Sequence, residues 1–204
     1  MTIILFSQIV IVCLLGAMSP GPSMVVVLNN AIFKNKFNGI LTALGHGVGI
    51  GIYAICAVIG IGLILKTNLF LFNLLKVFSI IFLLYLGVKA IYIKGKLDFS
   101  QNSIKSGSKS FIQGLSISIL NPKIFIWFLA IYSQFMSVNN DFILNLFLVL
   151  IASTVDALWY ILLVIIVTSK SVIEFIKDKY LLAQRIIGIF FIIIALVLII
   201  EFFV

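Results

Sequence analysis

Charge is what this chain has least of. Only 10% of its 204 residues are charged and 63% are hydrophobic, with a mean hydropathy of +1.32. Soluble domains carry roughly 25% charged and 45 to 50% apolar residues, so a water-soluble fold is excluded and an integral membrane protein is expected. The net charge of +8 does not indicate a nucleic-acid partner: Arg185 is the one arginine, and the lysines fall in short gaps between apolar runs. Membrane orientation accounts for them better. Histidine and cysteine are also scarce, with His46 the one histidine and Cys13 and Cys56 in different apolar runs, without a CxxC pair. That argues against a heavy-metal site and leaves both thiols as expected core residues. No phosphate loop, metal-ligand cluster or nucleophile triad is visible, so neither an enzyme nor a cofactor-binding protein is expected.

Proline is scarce too, numbering 3, and all of it lies in two motifs. Ser19-Pro20-Gly21-Pro22-Ser23 interrupts one apolar stretch and Leu120-Asn121-Pro122-Lys123 interrupts another, at matching places in the two halves. Proline removes a backbone donor and clashes with the preceding turn, so each motif should break its helix and free main-chain polar groups. Within a bilayer such a break survives only where it lines a cavity or is buried in protein. Matched interruptions of this kind point to the substrate site of a transporter, against the plainer reading of two proline kinks.

The apolar runs are about 3–33, 39–65, 69–93, 111–136, 142–169 and 181–204. Each is long enough to cross the roughly 30 Å hydrocarbon layer, which takes about 20 helical residues. The expected fold is therefore all-α, with six transmembrane helices, helices 1 and 4 broken, forming a single domain over residues 1–204. Residues 1–33 hold no charge for a signal-peptide n-region, so this segment is expected to be the first span. Lys94 to Ser110 is polar and lysine-rich, which suits a cytoplasmic loop joining halves of about 1–95 and 110–204. Three spans per half would make the second half an inverted repeat of the first. Lys34, Lys36, Lys94, Lys96, Lys105, Lys109, Lys170, Lys177 and Lys179 all fall in gaps after odd-numbered spans. By the positive-inside rule those gaps are cytoplasmic and both termini are outside.

Within the first break, Gly21 has no side chain to obstruct a ligand and is free to adopt unusual backbone angles. Ser19 is a candidate cap for the half-helix that follows, and amides exposed at that helix start suit a carboxylate. Lys123 and Asp156 place opposite charges at similar depth within the fourth and fifth spans. Whether they pair is open: the plain reading is a structural ion pair, and the other is a functional role, since an intramembrane charge is a functional candidate by default. His46 lies among Gly45, Gly47, Gly49 and Gly51. It is read first as a packing or hydrogen-bonding residue and second as a proton relay with Asp156. Gly45/Gly49 and Gly47/Gly51 both have the spacing of close helix contacts, and the aromatics read as packing or lipid-facing surface.

Taken in order, Met18-Ser19-Pro20-Gly21-Pro22, Gly39, Leu44-Gly45, Phe111, Asn121-Pro122-Lys123, Gln134-Phe135, Val155-Asp156 and Gln184-Arg185 resemble the LysE/RhtB family of amino-acid exporters over nearly the whole chain. The resemblance implies a bacterial inner-membrane protein that exports amino acids or close derivatives, driven by the proton gradient. Its expected partners are a small amino-acid substrate, protons and the lipid bilayer, and the small size allows a homodimer. It implies a substrate site at Ser19, Pro20, Gly21, Pro22, Asn121, Pro122, Lys123 and Asp156, with alternating access around it. This chain departs from the family pattern at Ser133, where proline is frequent. It departs again at His46 and in the region of Trp127, where members handling basic amino acids carry acidic residues. Neutral substrates such as threonine, homoserine or its lactone, leucine or cysteine are expected. The alternatives weighed are a metal-ion exporter and a transmembrane thiol-disulfide electron carrier.

Overall fold

The computed structural model describes residues 3–95, 109–135, 142–167 and 170–203, and those residues form helices without strands. The order is α1 Ile3–Met18, α2 Pro22–Asn29, a π-helical turn Asn30–Lys34, α3 Lys36–Thr67, α4 Leu69–Tyr92, α5 Ser110–Ile119, α6 Pro122–Phe135, α7 Phe142–Ile166 and α8 Lys170–Phe203. Four helices are long and apolar enough to span a membrane, and there are six spans when each bent pair counts as one. The bends are 70° between Phe6–Met18 and Pro22–Lys34 and 60° between Ser110–Ile119 and Lys123–Phe135. Both expected breaks are present, and both downstream half-helices start at a proline, where a missing amide costs no helical hydrogen bond.

Local chemistry sets the other ends. Asn35 accepts from the Asn38 amide at 2.9 Å to start α3, and Asn68 accepts from Leu71 at 2.9 Å to start α4, both as N-caps. Asn68 is the whole connection between α3 and α4. α4 ends at Tyr92 with Ile93 as its C-cap, and Gly95, at φ 115°, turns the chain just beyond it in a backbone conformation that favours glycine. The expected cytoplasmic loop lies largely outside the described residues.

One boundary differs from expectation. α8 begins at Lys170, well before the apolar run expected from residue 181. Its first turns carry charge, yet Val172, Ile173 and Ile176 pack against a cluster of Met24, Val27, Leu28, Tyr160 and Val164. That one-sided apolar stripe is enough to keep the charged segment helical.

The bundle is organised around α3, which packs on α5 and α7, while α4 packs on α8 and α1 on α7. Lipid offers little hydrophobic drive for such contacts, so they depend on close approach of backbones. Glycine supplies it. A Cβ on Gly45 would lie 2.0 Å from the Phe111 carbonyl oxygen, one on Gly114 would lie 1.9 Å from that of Thr42, and one on Gly47 would lie 2.7 Å from the Ala157 Cβ. The two glycine spacings thus serve two different partners, α5 for Gly45/Gly49 and α7 for Gly47/Gly51. Gly87 and Gly188 face each other across α4 and α8, a Cβ on either meeting the other's carbonyl at 2.8 or 2.6 Å. Exchanging first-half for second-half elements maps α3–α7 and α4–α8 onto themselves and α3–α5 onto α7–α1, whereas the α4–α6 contact has no comparable α8–α2 counterpart among the described residues.

Candidate functional site

Both breaks open onto one cavity of about 60 Å³, several times what a single water requires. Ser19, Gly21, Pro22 and Ser23 reach it from the first break, Asn121 and Lys123 from the second, and His46 and Asp156 from α3 and α7. The two breaks are tied together directly. Lys123 Nζ donates to Ser19 Oγ, and Asn121 Nδ2 donates to Ser23 Oγ at 3.3 Å. Asn121 Oδ1 also accepts from the Lys123 amide at 3.1 Å, so this side chain caps α6 while it holds the first break. The Pro20 carbonyl accepts from Gln184 Nε2 of α8 at 3.0 Å, and the same nitrogen lies 3.1 Å from Tyr180 Oη.

The opposite wall carries the acid. His46 Nδ1 and Asp156 Oδ2 are 2.6 Å apart, with both residues buried, and Tyr160 packs edge-on against the imidazole at 4.9 Å. The second ring nitrogen, His46 Nε2, is buried without a hydrogen-bond partner among the described residues. Trp127 Nε1 is in the same condition, and both residues line the cavity. Buried polar groups are ordinarily paired, so two unsatisfied nitrogens around one cavity mark where a bound molecule or water belongs.

The lining has two zones. The polar groups gather at the breaks and at the His46–Asp156 contact. Apolar residues come from α1 before its break (Cys13, Gly16, Ala17), from α6 after its break (Ile124, Trp127, Phe128), and from Ile50 and Ala152. In six alternating spans, all of these lie toward the side of the even-numbered gaps. On the opposite side a second polar network closes over α2, α3 and α5. Asn30 Nδ2 donates to Thr42 Oγ1 and to Gln113 Oε1, each at 2.8 Å. Lys34 Nζ donates to Gln113 Oε1 at 3.3 Å, and Ser110 Oγ donates to Asn38 Oδ1 at 2.8 Å.

Several expectations change. The question of a Lys123–Asp156 pair, left open by the sequence, is answered by other partners: Lys123 bonds Ser19 and Asp156 bonds His46, because α3 lies against α7 and presents the imidazole to the acid first. Ser19 does not cap α2. Gly21 is the N-cap, with φ −174°, and no side chain caps the helix. That φ is open to any residue, and a Cβ there would sit at ordinary contact distance, 3.9 Å from the Ser19 carbonyl oxygen and 4.0 Å from Lys123 Nζ, so neither backbone nor packing requires glycine here. Pro20 lines a separate apolar groove beside Trp159 and Tyr180, and Pro122 opens α6. Both thiols are free; Cys13 is buried but Cys56 is exposed on the outer face of α3, so the core assignment holds for Cys13 alone. Gly16, Trp127 and Gln184 are site or support residues that the motifs did not single out as such. For Gly16 and Trp127 the signal available was their place about one helical turn from Ser19 and from Lys123; for Gln184 the breaks gave none.

A bundle of long apolar helices with polar groups gathered at two helix breaks defines a class, the multi-pass membrane proteins. Residues 14–202 match the LysE type translocator family, and the chain belongs to that family. It is similar to the uncharacterized membrane protein YrhP of Bacillus subtilis (strain 168), 29% identical over 161 residues, covering 72% of this chain and 76% of that one. It is also similar to the leucine efflux protein of Salmonella typhimurium (strain LT2), 30% identical over 122 residues, covering 59% of this chain and 58% of that one. The chain thus aligns with little more than half the length of the leucine efflux protein. No solved structure is a significant match.

Proposed function

We propose that the protein exports neutral amino acids with apolar side chains, or close derivatives, across the bacterial inner membrane by proton-coupled alternating access. One observation carries this reading: a single cavity joins an ammonium, two half-helix starts and a His–Asp pair on one side to an apolar wall on the other. An amino acid has the same layout. Its carboxylate fits Lys123 and the first-turn amides of α2, which no side chain caps and which have no intrahelical partner. Its ammonium fits Asp156, and its side chain fits the zone of Ile50, Ile124, Trp127 and Phe128. Membership of the LysE type translocators and similarity to a leucine efflux protein support an amino-acid cargo.

Coupling follows from the acid. Asp156 either holds a proton shared with His46 or receives the substrate ammonium, and exchanging the two links proton entry to substrate exit. Binding alone does no transport, so substrate and proton must each favour a different facing of the cavity. We place the lysine-rich odd gaps in the cytoplasm and the termini outside, with the two three-span halves rocking about the cavity.

The test is efflux from dipeptide-loaded cells lacking their own amino-acid exporters, following all extracellular amino acids for the native protein and for Asp156→Asn at matched membrane levels. Faster release of specific neutral amino acids, lost in Asp156→Asn, is the expected result. Native protein in the membrane that changes the release of no amino acid would overturn the reading.

A further inference from the structure

We infer that Trp127 sets the size of the side chain that the cavity accepts, and that Gly16 is the position that lets the indole stand back far enough to leave room for it. The inference rests on the exporter reading above and goes beyond it, since neither the family nor any relative says how cargo is discriminated.

Several independent observations converge on this contact. Trp127 is 6% exposed and lines the cavity in its apolar zone, one turn of α6 beyond Lys123. A ligand whose carboxylate lies at Lys123 therefore directs its side chain along the same helix toward the indole. On its α1 side the ring has no slack. A Cβ on Gly16 would lie 2.7 and 2.9 Å from two indole carbons, closer than real Cβ atoms approach. The ring is also braced from its own helix: it meets Phe128 edge-on at 5.8 Å, and Phe128 packs on Tyr132 at 4.9 Å. Tyr132 in turn is fixed by donating to the Leu148 carbonyl at 2.7 Å. A wall supported on both sides sets a firm limit on what fits in front of it.

The indole nitrogen adds a second handle. Trp127 Nε1 is buried with no acceptor among the described residues, whereas buried indole N–H groups usually find one. A substrate oxygen or a water carried with the substrate satisfies it. Trp127 thus restricts size through its ring and adds a hydrogen bond through its nitrogen, and the two are separable: phenylalanine keeps an aromatic wall, is smaller and lacks the donor.

The experiment compares export of valine, leucine and phenylalanine, each supplied as a dipeptide, by the native protein, Trp127→Phe, Trp127→Leu and Gly16→Ala, normalised to the amount in the membrane. Trimming the ring in Trp127→Leu is expected to raise phenylalanine export relative to leucine about tenfold, the scale of discrimination that one or two carbons give in an apolar pocket. Gly16→Ala adds a methyl group where the cavity wall meets the ring and is expected to shift the preference from leucine toward valine. Trp127→Phe should show the same direction as Trp127→Leu with a smaller change, and it decides the matter if Trp127→Leu does not reach the membrane. Variants that lower export of all three amino acids by one common factor would overturn the inference and leave Trp127 a packing residue. That outcome is distinct from failure of the exporter reading, in which the native protein itself releases none of the three and the inference falls with it.

Discussion

At the His46–Asp156 contact one proton has to lie between two buried atoms 2.6 Å apart. Removing either partner leaves the other, buried as it is, without its charge or hydrogen-bond complement. Breaking a buried pair from one side costs about 3 to 5 kcal/mol. His46→Ala is therefore expected to lower the melting temperature of the purified protein in detergent, and adding Asp156→Asn should recover most of that loss while export stays absent. If the double variant is as unstable as His46→Ala, the pair is not what His46 contributes. Lys123 has a different role. It bridges the two breaks through Ser19 and faces the cavity, so Lys123→Met keeps the aliphatic stem and removes the ammonium. A hydrogen bond to a charged group contributes about 1.5 to 3 kcal/mol, which corresponds to about 10- to 150-fold weaker binding. The half-saturating leucine concentration for transport in vesicles should rise by that factor. An unchanged value would exclude Lys123 as a carboxylate ligand.

Elements meet here through backbone more than through side chains. The α3–α5 contact is close at Gly45 and Gly114, where an added methyl group would overlap a facing carbonyl. Overpacking of this kind costs about 1 to 3 kcal/mol, more where backbone must move. Gly45→Ala and Gly114→Ala are each expected to reduce thermal stability. Gly60→Ala, in the same α3 and with open space around its Cβ, should be neutral or stabilising by up to about 1 kcal/mol through helix propensity. Equal destabilisation by all three would mean that helix contact is not the use of these glycines. The sequence made part of this readable. Pro20, Pro22 and Pro122 located both breaks, because no other residue type so reliably interrupts a helix, and glycine spacing announced close contacts. Which partner each glycine faced was not readable, because it depends on the rotation of α3 about its axis. The same rotation decides that His46 reaches Asp156, and it hid the true partner of the acid behind the more obvious charge of Lys123. Trp127 on Gly16 was illegible for a simpler reason: a single glycine and a single tryptophan 111 positions apart form no pattern.

For the whole molecule, alternating access requires that the cavity be closed on one side by something that can reopen. The polar network of Asn30, Lys34, Thr42 and Gln113 is suited to that task. It holds the ends of α2, α3 and α5 together on the lysine-rich side, with Asn30 and Thr42 buried. It also includes the π-helical turn Asn30–Lys34, closed by the Asn35 amide on the Asn30 carbonyl at 3.2 Å. Such turns are strained insertions that often accompany functional movement, and Gly39 accommodates this one, a Cβ there meeting Ala31 at 2.6 Å. Such hydrogen bonds contribute about 0.5 to 1.5 kcal/mol each between neutral side chains and about 1.5 to 3 kcal/mol where one partner is charged, as at Lys34, strong enough to bias a two-state equilibrium and weak enough to be reversed by a ligand. Gln113 receives two of these bonds, so Gln113→Ala should shift the protein toward a cavity open on that side. Cys13 lines the cavity and provides a native reporter, once the exposed Cys56 is replaced by serine. In inside-out vesicles a membrane-impermeant thiol reagent should label Cys13 several-fold faster in Gln113→Ala/Cys56→Ser than in Cys56→Ser alone, and added leucine should slow the reaction in both. A labelling rate unmoved by Gln113→Ala from either face of the membrane would show that these side chains hold the bundle together without gating it, and the closing element would have to lie elsewhere along the path from Lys34 to the cavity.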